Sequence, residues 1–131
     1  MKEKVFVVDD EPLILELLKA SLEPAGYQLE TFTDPTKAIE RIWENPEKPD
    51  LVLTDLDLGK GYNGLGIIES ARQRWGQDTP VAIMSGGFQS ASEDDCMRAT
   101  PHIIIKPFTL DDILEFVKDV IAKSKREKVA A

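Results

Sequence analysis

Val5-Phe6-Val7-Val8-Asp9-Asp10 is a short apolar run that stops abruptly on two carboxylates. Too short for a helix and lacking polar alternation, it reads as a strand buried on both faces. The same pattern recurs three times. Leu51-Val52-Leu53-Thr54 stops on Asp55, Val81-Ala82-Ile83-Met84 on Ser85, and Ile103-Ile104-Ile105 on Lys106. Helical patterns separate the runs, as in a parallel sheet wound by crossover helices. The carboxyl ends of such strands share one edge, where open α/β sheets bind their ligands. Three carboxylates, a hydroxyl and an ammonium are therefore expected to meet, a chemistry suited to a divalent cation and a phosphoryl group.

The rest of the composition narrows the field. A chain of 131 residues fits one domain around one core. The formal net charge of -8 leaves no basic face for nucleic acid, so none is expected as a direct partner. No apolar stretch approaches the ~20 residues of a membrane span. The opening Met1-Lys2-Glu3-Lys4-Val5 runs into a strand pattern rather than a signal peptide, so the expected location is cytoplasmic, with no membrane contact. One cysteine, Cys96, and one histidine, His102, cannot build a clustered Cys/His site. A metal here needs oxygen ligands, which favours Mg²⁺ or Ca²⁺.

Five βα units fit the chain. The first helix is expected over Pro12 to Glu23, with Leu13, Ile14, Leu17, Leu18 and Leu22 buried. A second strand over Gln28 to Phe32 leads to a helix starting at Asp34-Pro35 and turning Ala38, Ile39 and Ile42 inward. Asn45 to Asp50 reads as a loop. After Asp55 comes Gly59-Lys60-Gly61-Tyr62-Asn63-Gly64, then a helix carrying Leu65, Ile68, Ala71 and Trp75 on one side. Gln89 to Ala99 offers little apolar surface, so its helix is expected to be loosely anchored. The last helix is expected from Leu110 to Lys123 through Ile113, Phe116, Val117, Val120 and Ile121, with Thr109 and Asp112 as a capping box. Trp43 and Trp75 read as core-edge packing, Cys96 as inert and His102 as solvated. Residues 1–122 form the expected domain, and 123–131 a charged tail or the start of a linker.

Asp9-Asp10, Asp55, Ser85-Gly86 and Lys106-Pro107-Phe108, in this order at strand ends, resemble the receiver domain of two-component response regulators. The resemblance extends to about Lys123. It implies a doubly wound, flavodoxin-like (βα)5 fold with a five-stranded parallel sheet in the order 2-1-3-4-5. It also implies that Asp55 is the phosphoacceptor, with Mg²⁺ held by the carboxylates of Asp10 and Asp55, by Asp9 mainly through water, and by the main-chain carbonyl of Asp57. Lys106 and Ser85 would neutralise and bond the phosphoryl oxygens, with Pro107 after a cis peptide bond. The implied donor is a sensor histidine kinase or phosphotransfer protein. The implied readout is a downstream protein target or output domain, or a homodimer through the face of the fourth helix, fifth strand and fifth helix. Such a domain catalyses only its own phosphorylation and dephosphorylation and is not otherwise an enzyme.

Three positions depart from the family pattern. Gly59 replaces a customary proline in a loop that is one residue longer, so the Asp57 carbonyl is expected to be less tightly held. Ile103 stands where the family commonly has an aromatic switch residue partnering Ser85. Thr100-Pro101-His102 replaces a small-residue turn and is expected to stiffen that corner.

Each site residue also has a plainer reading: Asp10 as a helix cap, Ser85 as a turn residue, Lys106 as a solvated lysine, the Asp57 side chain as facing water. Before phosphorylation Ser85 is expected to lack a strong partner in the site. Two alternative functions fit parts of the pattern. Leu53-Thr54-Asp55-Leu56-Asp57 resembles the nucleophile motif of haloacid-dehalogenase-type phosphatases, with Ser85 and Lys106 as further motifs and Asp57 as acid/base. Those enzymes need an acid pair after the lysine, and Asp111-Asp112 here reads as a helix start. The other alternative is a receiver-like docking module that is never phosphorylated.

Overall fold

Five strands and five helices alternate along the chain: β1 (Lys4–Val8), α1 (Pro12–Leu22), β2 (Gln28–Phe32), α2 (Pro35–Glu44), β3 (Leu51–Asp55), α3 (Gly64–Trp75), β4 (Val81–Ser85), α4 (Glu93–Ala99), β5 (Ile103–Ile105) and α5 (Leu110–Ala130). The computed structural model describes residues 2–130, with side chains described through Glu127. All strands pair in parallel in the order β2-β1-β3-β4-β5, the doubly wound arrangement the motifs imply.

The strand runs are apolar throughout because both faces of the sheet are covered. Val5, Val7, Leu51, Leu53, Ala82 and Met84 point to one side. There they meet Leu15, Leu18 and Leu22 of α1 and Ile113, Val117, Val120 and Ile121 of α5. Phe6, Val8, Val52, Val81 and Ile83 point to the other, against Ala38 and Ile42 of α2, Ile67, Ile68 and Ala71 of α3 and Cys96 of α4.

Register sets the site. Val8 lies beside Thr54, Asp55 beside Met84, and Ser85 beside Ile105, so the residues ending these runs come out at one edge. Hydrogen bonds carry the alignment past the strands: Asp9 N–H to the Phe32 carbonyl (3.0 Å), Leu56 N–H to Met84 (2.9 Å) and Lys106 N–H to Ser85 (2.8 Å).

Several local expectations need correction. Leu13 does not join the α1 stripe. It is 76% exposed, and Leu15 takes the buried position instead, because the stripe begins one helical step later than the pattern suggests. Trp43 is half exposed rather than packed at the core edge. Trp75 does pack there, edge-on to Phe6 with centroids 6.1 Å apart, and its indole N–H donates to the Asn45 carbonyl at 3.0 Å. His102 is partly buried rather than solvated, and burial followed by the nearby Lys123 charge lowers its pKa. Helix α5 continues beyond Lys123 to Ala130. Its added turns are mostly good helix formers, Lys125, Arg126, Glu127, Lys128 and Ala130, and Lys125 reaches Glu3 at 2.6 Å. Ala131, the end of the expected tail, lies outside the described residues. The capping box forms in both directions: Asp112 N–H donates to the Thr109 hydroxyl (3.1 Å) and Thr109 N–H to the Asp112 carboxylate (3.0 Å).

Candidate functional site

The carboxyl edge of the sheet gathers the residues that end β1, β3, β4 and β5. Asp9 is fully buried and Asp55 is 5% exposed, while Asp10 and Glu11 face solvent. Each of these four brings a carboxylate oxygen within 4.8 Å of the others. The Lys106 ammonium stands among them, 2.9 Å from Asp9 Oδ2, 3.2 Å from Asp55 Oδ1 and 3.7 Å from Glu11 Oε1. The peptide bond between Lys106 and Pro107 is cis.

Four acids against one ammonium leave excess negative charge, and burial makes it costly. Desolvation, followed by the Asp9 charge, pushes Asp55 up to about 7 despite Lys106. Desolvation also raises Asp9, against the Glu11 backbone N–H and Lys106. Burial works against the Lys106 ammonium, but Asp9 and Asp55 outweigh it and its pKa is raised. An all-oxygen acidic set of this kind fits a hard divalent cation, which would relieve the repulsion the single lysine leaves.

Asp10 is not a helix cap. The residue at the cap of α1 is Glu11, which makes no side-chain cap bond. The Glu11 N–H instead donates to Asp9 Oδ1 at 2.9 Å, and this bond helps orient the buried acid. Asp10 is thus left exposed at the mouth of the site, 3.7 Å from where a Cβ on Gly59 would lie.

Asp55 is held from behind by α3. The Thr54 hydroxyl donates to the Asp55 carbonyl at 2.9 Å, and Gly64 N–H donates to the Leu56 carbonyl at 2.8 Å. A Cβ on Gly64 would fall 2.5 Å from the Asp55 carbonyl oxygen, so only glycine permits this approach. The long loop between them turns through Gly59, Lys60 and Gly61 at positive φ and is closed by an antiparallel bridge between Asp57 and Asn63. The Asp57 carbonyl expected to be less tightly held therefore belongs to a closed turn.

The sequence pattern of the response regulator receiver domain matches residues 5–118. The chain belongs to that family. Its relatives include the transcriptional regulatory protein KdpE of Mycobacterium tuberculosis, 30% identical over 121 residues, which cover 92% of this chain and 51% of the relative. The chain thus spans about half the length of the curated relatives it matches. A response regulator from Thermotoga maritima superposes with a TM-score of 0.77 at 29% identity, over 93% of this chain and 99% of the other. A CheY-like receiver domain protein from Methanospirillum hungatei shares the fold with a TM-score of 0.82 at 24% identity, over 97% of this chain and 99% of the other.

Within this receiver domain, Asp9, Asp10, Asp55 and Lys106 come together as the strand ends suggest, and two other candidates behave differently. Ser85 is buried at the edge, but it has a partner. Its hydroxyl donates to the Gly87 carbonyl and accepts the Gly87 N–H at 3.1 Å. The hydroxyl is thus bonded to its own turn rather than to the charged groups of the site, because Gly86-Gly87 lets the chain fold back on it. The Asp57 side chain, read as facing water, is partly buried, and its Oδ1 also accepts the Ser90 N–H at 3.1 Å.

Glu11 was absent from the expected ligands yet belongs to the acid cluster. Its signal was the third acid in Asp9-Asp10-Glu11. Ile103 is partly buried against the α2–α4 side of the core. In the corner before it, the Thr100 hydroxyl donates to the Val81 carbonyl (2.9 Å) and accepts the His102 N–H (3.1 Å). Asp111 and Asp112 lie in the first turn of α5, where Asp112 caps the helix, and neither belongs to the acid cluster a phosphatase would need to extend.

Proposed function

We propose that this receiver domain accepts a phosphoryl group on Asp55 from a phosphohistidine of a sensor kinase or phosphotransfer protein. The observation that carries the reading is the buried Asp55 carboxylate, 3.2 Å from the Lys106 ammonium and clustered with Asp9, Asp10 and Glu11. In the transfer, a carboxylate oxygen of Asp55 forms a bond to phosphorus as the bond from phosphorus to the donor imidazole breaks. Lys106 compensates charge on the phosphoryl oxygens, and the Ser85 hydroxyl leaves Gly87 to donate to one of them.

Asp10, Asp55 and the Asp57 carbonyl would hold Mg²⁺, with Asp9 acting mainly through water. The cation supplies charge neutralisation at the phosphoryl group. Such a protein is its own substrate rather than an enzyme with turnover. The proposed setting is the cytoplasm, and no helix among the described residues is long and apolar enough to cross a membrane.

The output rests on the β4–α4 side. Phosphorylation adds an acceptor for Ser85, which biases the connection after β4 and with it α4. Met97, Ile105 and Leu110 are large, apolar and exposed on α4, β5 and α5. They suit a partner or a second copy of the chain docking on that face. Leu13, exposed two residues before the buried Leu15 and just beyond the acids, suits the phosphodonor protein.

The test is intact mass after incubation with acetyl phosphate, with and without Mg²⁺, alongside Asp55→Asn. One added phosphoryl group that requires both Mg²⁺ and Asp55 is expected. No adduct from acetyl phosphate or from phosphorylated histidine donors would favour the unphosphorylated docking module.

A further inference from the structure

The connection from β4 to α4, residues 86–92, follows the hydroxyl that must change partners, and little holds it in place. Gly86 and Gly87 have no side chains, and the Ser85 hydroxyl bonds within its own turn, to Gly87. Phe88 and Ala91 pack partly against the core. The polar hold comes from across the cleft and converges on the backbone of one residue, Ser90. Asp57 Oδ1 accepts the Ser90 N–H at 3.1 Å, and Asn63 Nδ2 donates to the Ser90 carbonyl at 3.4 Å. Asp57 and Asn63 face each other in an antiparallel bridge, so both contacts arise from one closed turn.

Asn63 has a second duty that explains its identity. Its side-chain oxygen accepts the N–H groups of Leu65 (3.0 Å) and Gly66 (3.3 Å), capping α3. Aspartate or serine would cap as well. Only an amide caps through its oxygen and still presents an N–H₂ donor to Ser90. The turn that carries the expected metal-binding carbonyl of Asp57 is thereby joined to the segment that must shift when Ser85 changes partner.

We propose that Asn63 and the Asp57 carboxylate form a clasp on the backbone N–H and carbonyl of Ser90 that holds the β4–α4 connection with Ser85 turned toward Gly87, and that opening it accompanies phosphorylation. Asn63 is then a positioning residue that sets how readily Asp55 is phosphorylated. This rests on the phosphoacceptor reading for its rate effect but not for the clasp itself.

The two parts are tested separately. Asn63→Ser keeps a capping oxygen and the neutral charge, but its side chain is too short for a contact already at 3.4 Å. Asp57→Ala removes the other arm. Amide hydrogen exchange, without any phosphoryl donor, should rise about threefold to tenfold over residues 87–92 in each variant. In Asn63→Ser the exchange at Leu65 and Gly66 should stay as in wild type. Unchanged exchange over 87–92 in both variants overturns the clasp. With Mg²⁺ and saturating acetyl phosphate, Asn63→Ser should then label faster at its maximum, by a similar factor, at an unchanged half-saturating Mg²⁺ concentration. An unchanged maximal rate overturns the positioning role. If wild type takes no label from any donor, the phosphoacceptor reading and the positioning role fall together, and exchange alone decides the clasp.

Discussion

Helices α3 and α4 both follow strands that end on site residues, yet they are attached in different ways. α3 spans Gly64–Trp75, buries Ile67, Ile68 and Ala71, and presses Gly64 against the Asp55 carbonyl. α4 spans only Glu93–Ala99 and buries Cys96 alone. Both helices are capped by a side chain, Asn63 for α3 and Ser92 for α4, so capping does not account for the contrast. Burial does. The helix behind the acceptor carboxylate is fixed to the core, whereas the helix behind the Ser85 hydroxyl rests on one small side chain and on polar contacts. On the proposed phosphoacceptor reading the two helices divide the work: one would hold Asp55 still, and the other would be free to respond to its phosphorylation.

Substitutions at the glycines after each strand should break that contrast most sharply. A methyl group on Gly64 meets backbone, so Gly64→Ala is expected to cost about 3 kcal/mol in urea denaturation, outweighing the ~1 kcal/mol that alanine offers a helix. It should also slow labelling of Asp55. Gly87→Ala meets nothing within 4 Å and should stay within about 0.5 kcal/mol of wild type. The helix interiors should repeat the pattern in milder form. Ile68→Ala is expected to lose about 3 kcal/mol, and Cys96→Ala about 1 kcal/mol. A loss at Cys96 equal to that at Ile68 would erase the distinction between the helices.

The charge held against α3 gives a pH signature. The folded protein keeps the Asp55 proton up to about pH 7, whereas an unfolded chain releases it near 4. Between those values the folded state binds more protons, so stability declines as pH rises through the window. Without divalent cations, Asp55→Asn should match wild type near pH 4 and gain on it as pH rises, by up to about 4 kcal/mol at pH 8. Denaturation curves at the two pH values check this. On α5, Lys125→Ala removes a pair between an exposed ammonium and the partly buried Glu3 and should leave the denaturation curve close to that of wild type.

Most of the fold was legible because its strands are buried on both faces, which leaves apolar runs that no surface element would carry. The strand ends then located Asp9, Asp55, Ser85 and Lys106 by topology alone. What the sequence hid depends on local angles and on hydrogen bonds between loops. The choice of Leu15 over Leu13 turns on where α1 starts its stripe. Ser85 gained its partner because two glycines let the chain return to the hydroxyl, and composition shows only that they permit it. The Asp57 and Asn63 contacts to Ser90 join segments about thirty residues apart, and no periodicity records such a contact. Glu11 entered the cluster because the cap of α1 turns it beside Lys106, 3.7 Å away.

The most direct measurement is amide hydrogen exchange on this receiver domain before and after labelling with acetyl phosphate and Mg²⁺, with the added phosphoryl group verified by mass. The account predicts changed exchange over residues 86–99 and unchanged exchange over α3, Gly64–Trp75. Equal exchange in both regions before and after labelling, or a change confined to α3, would contradict it.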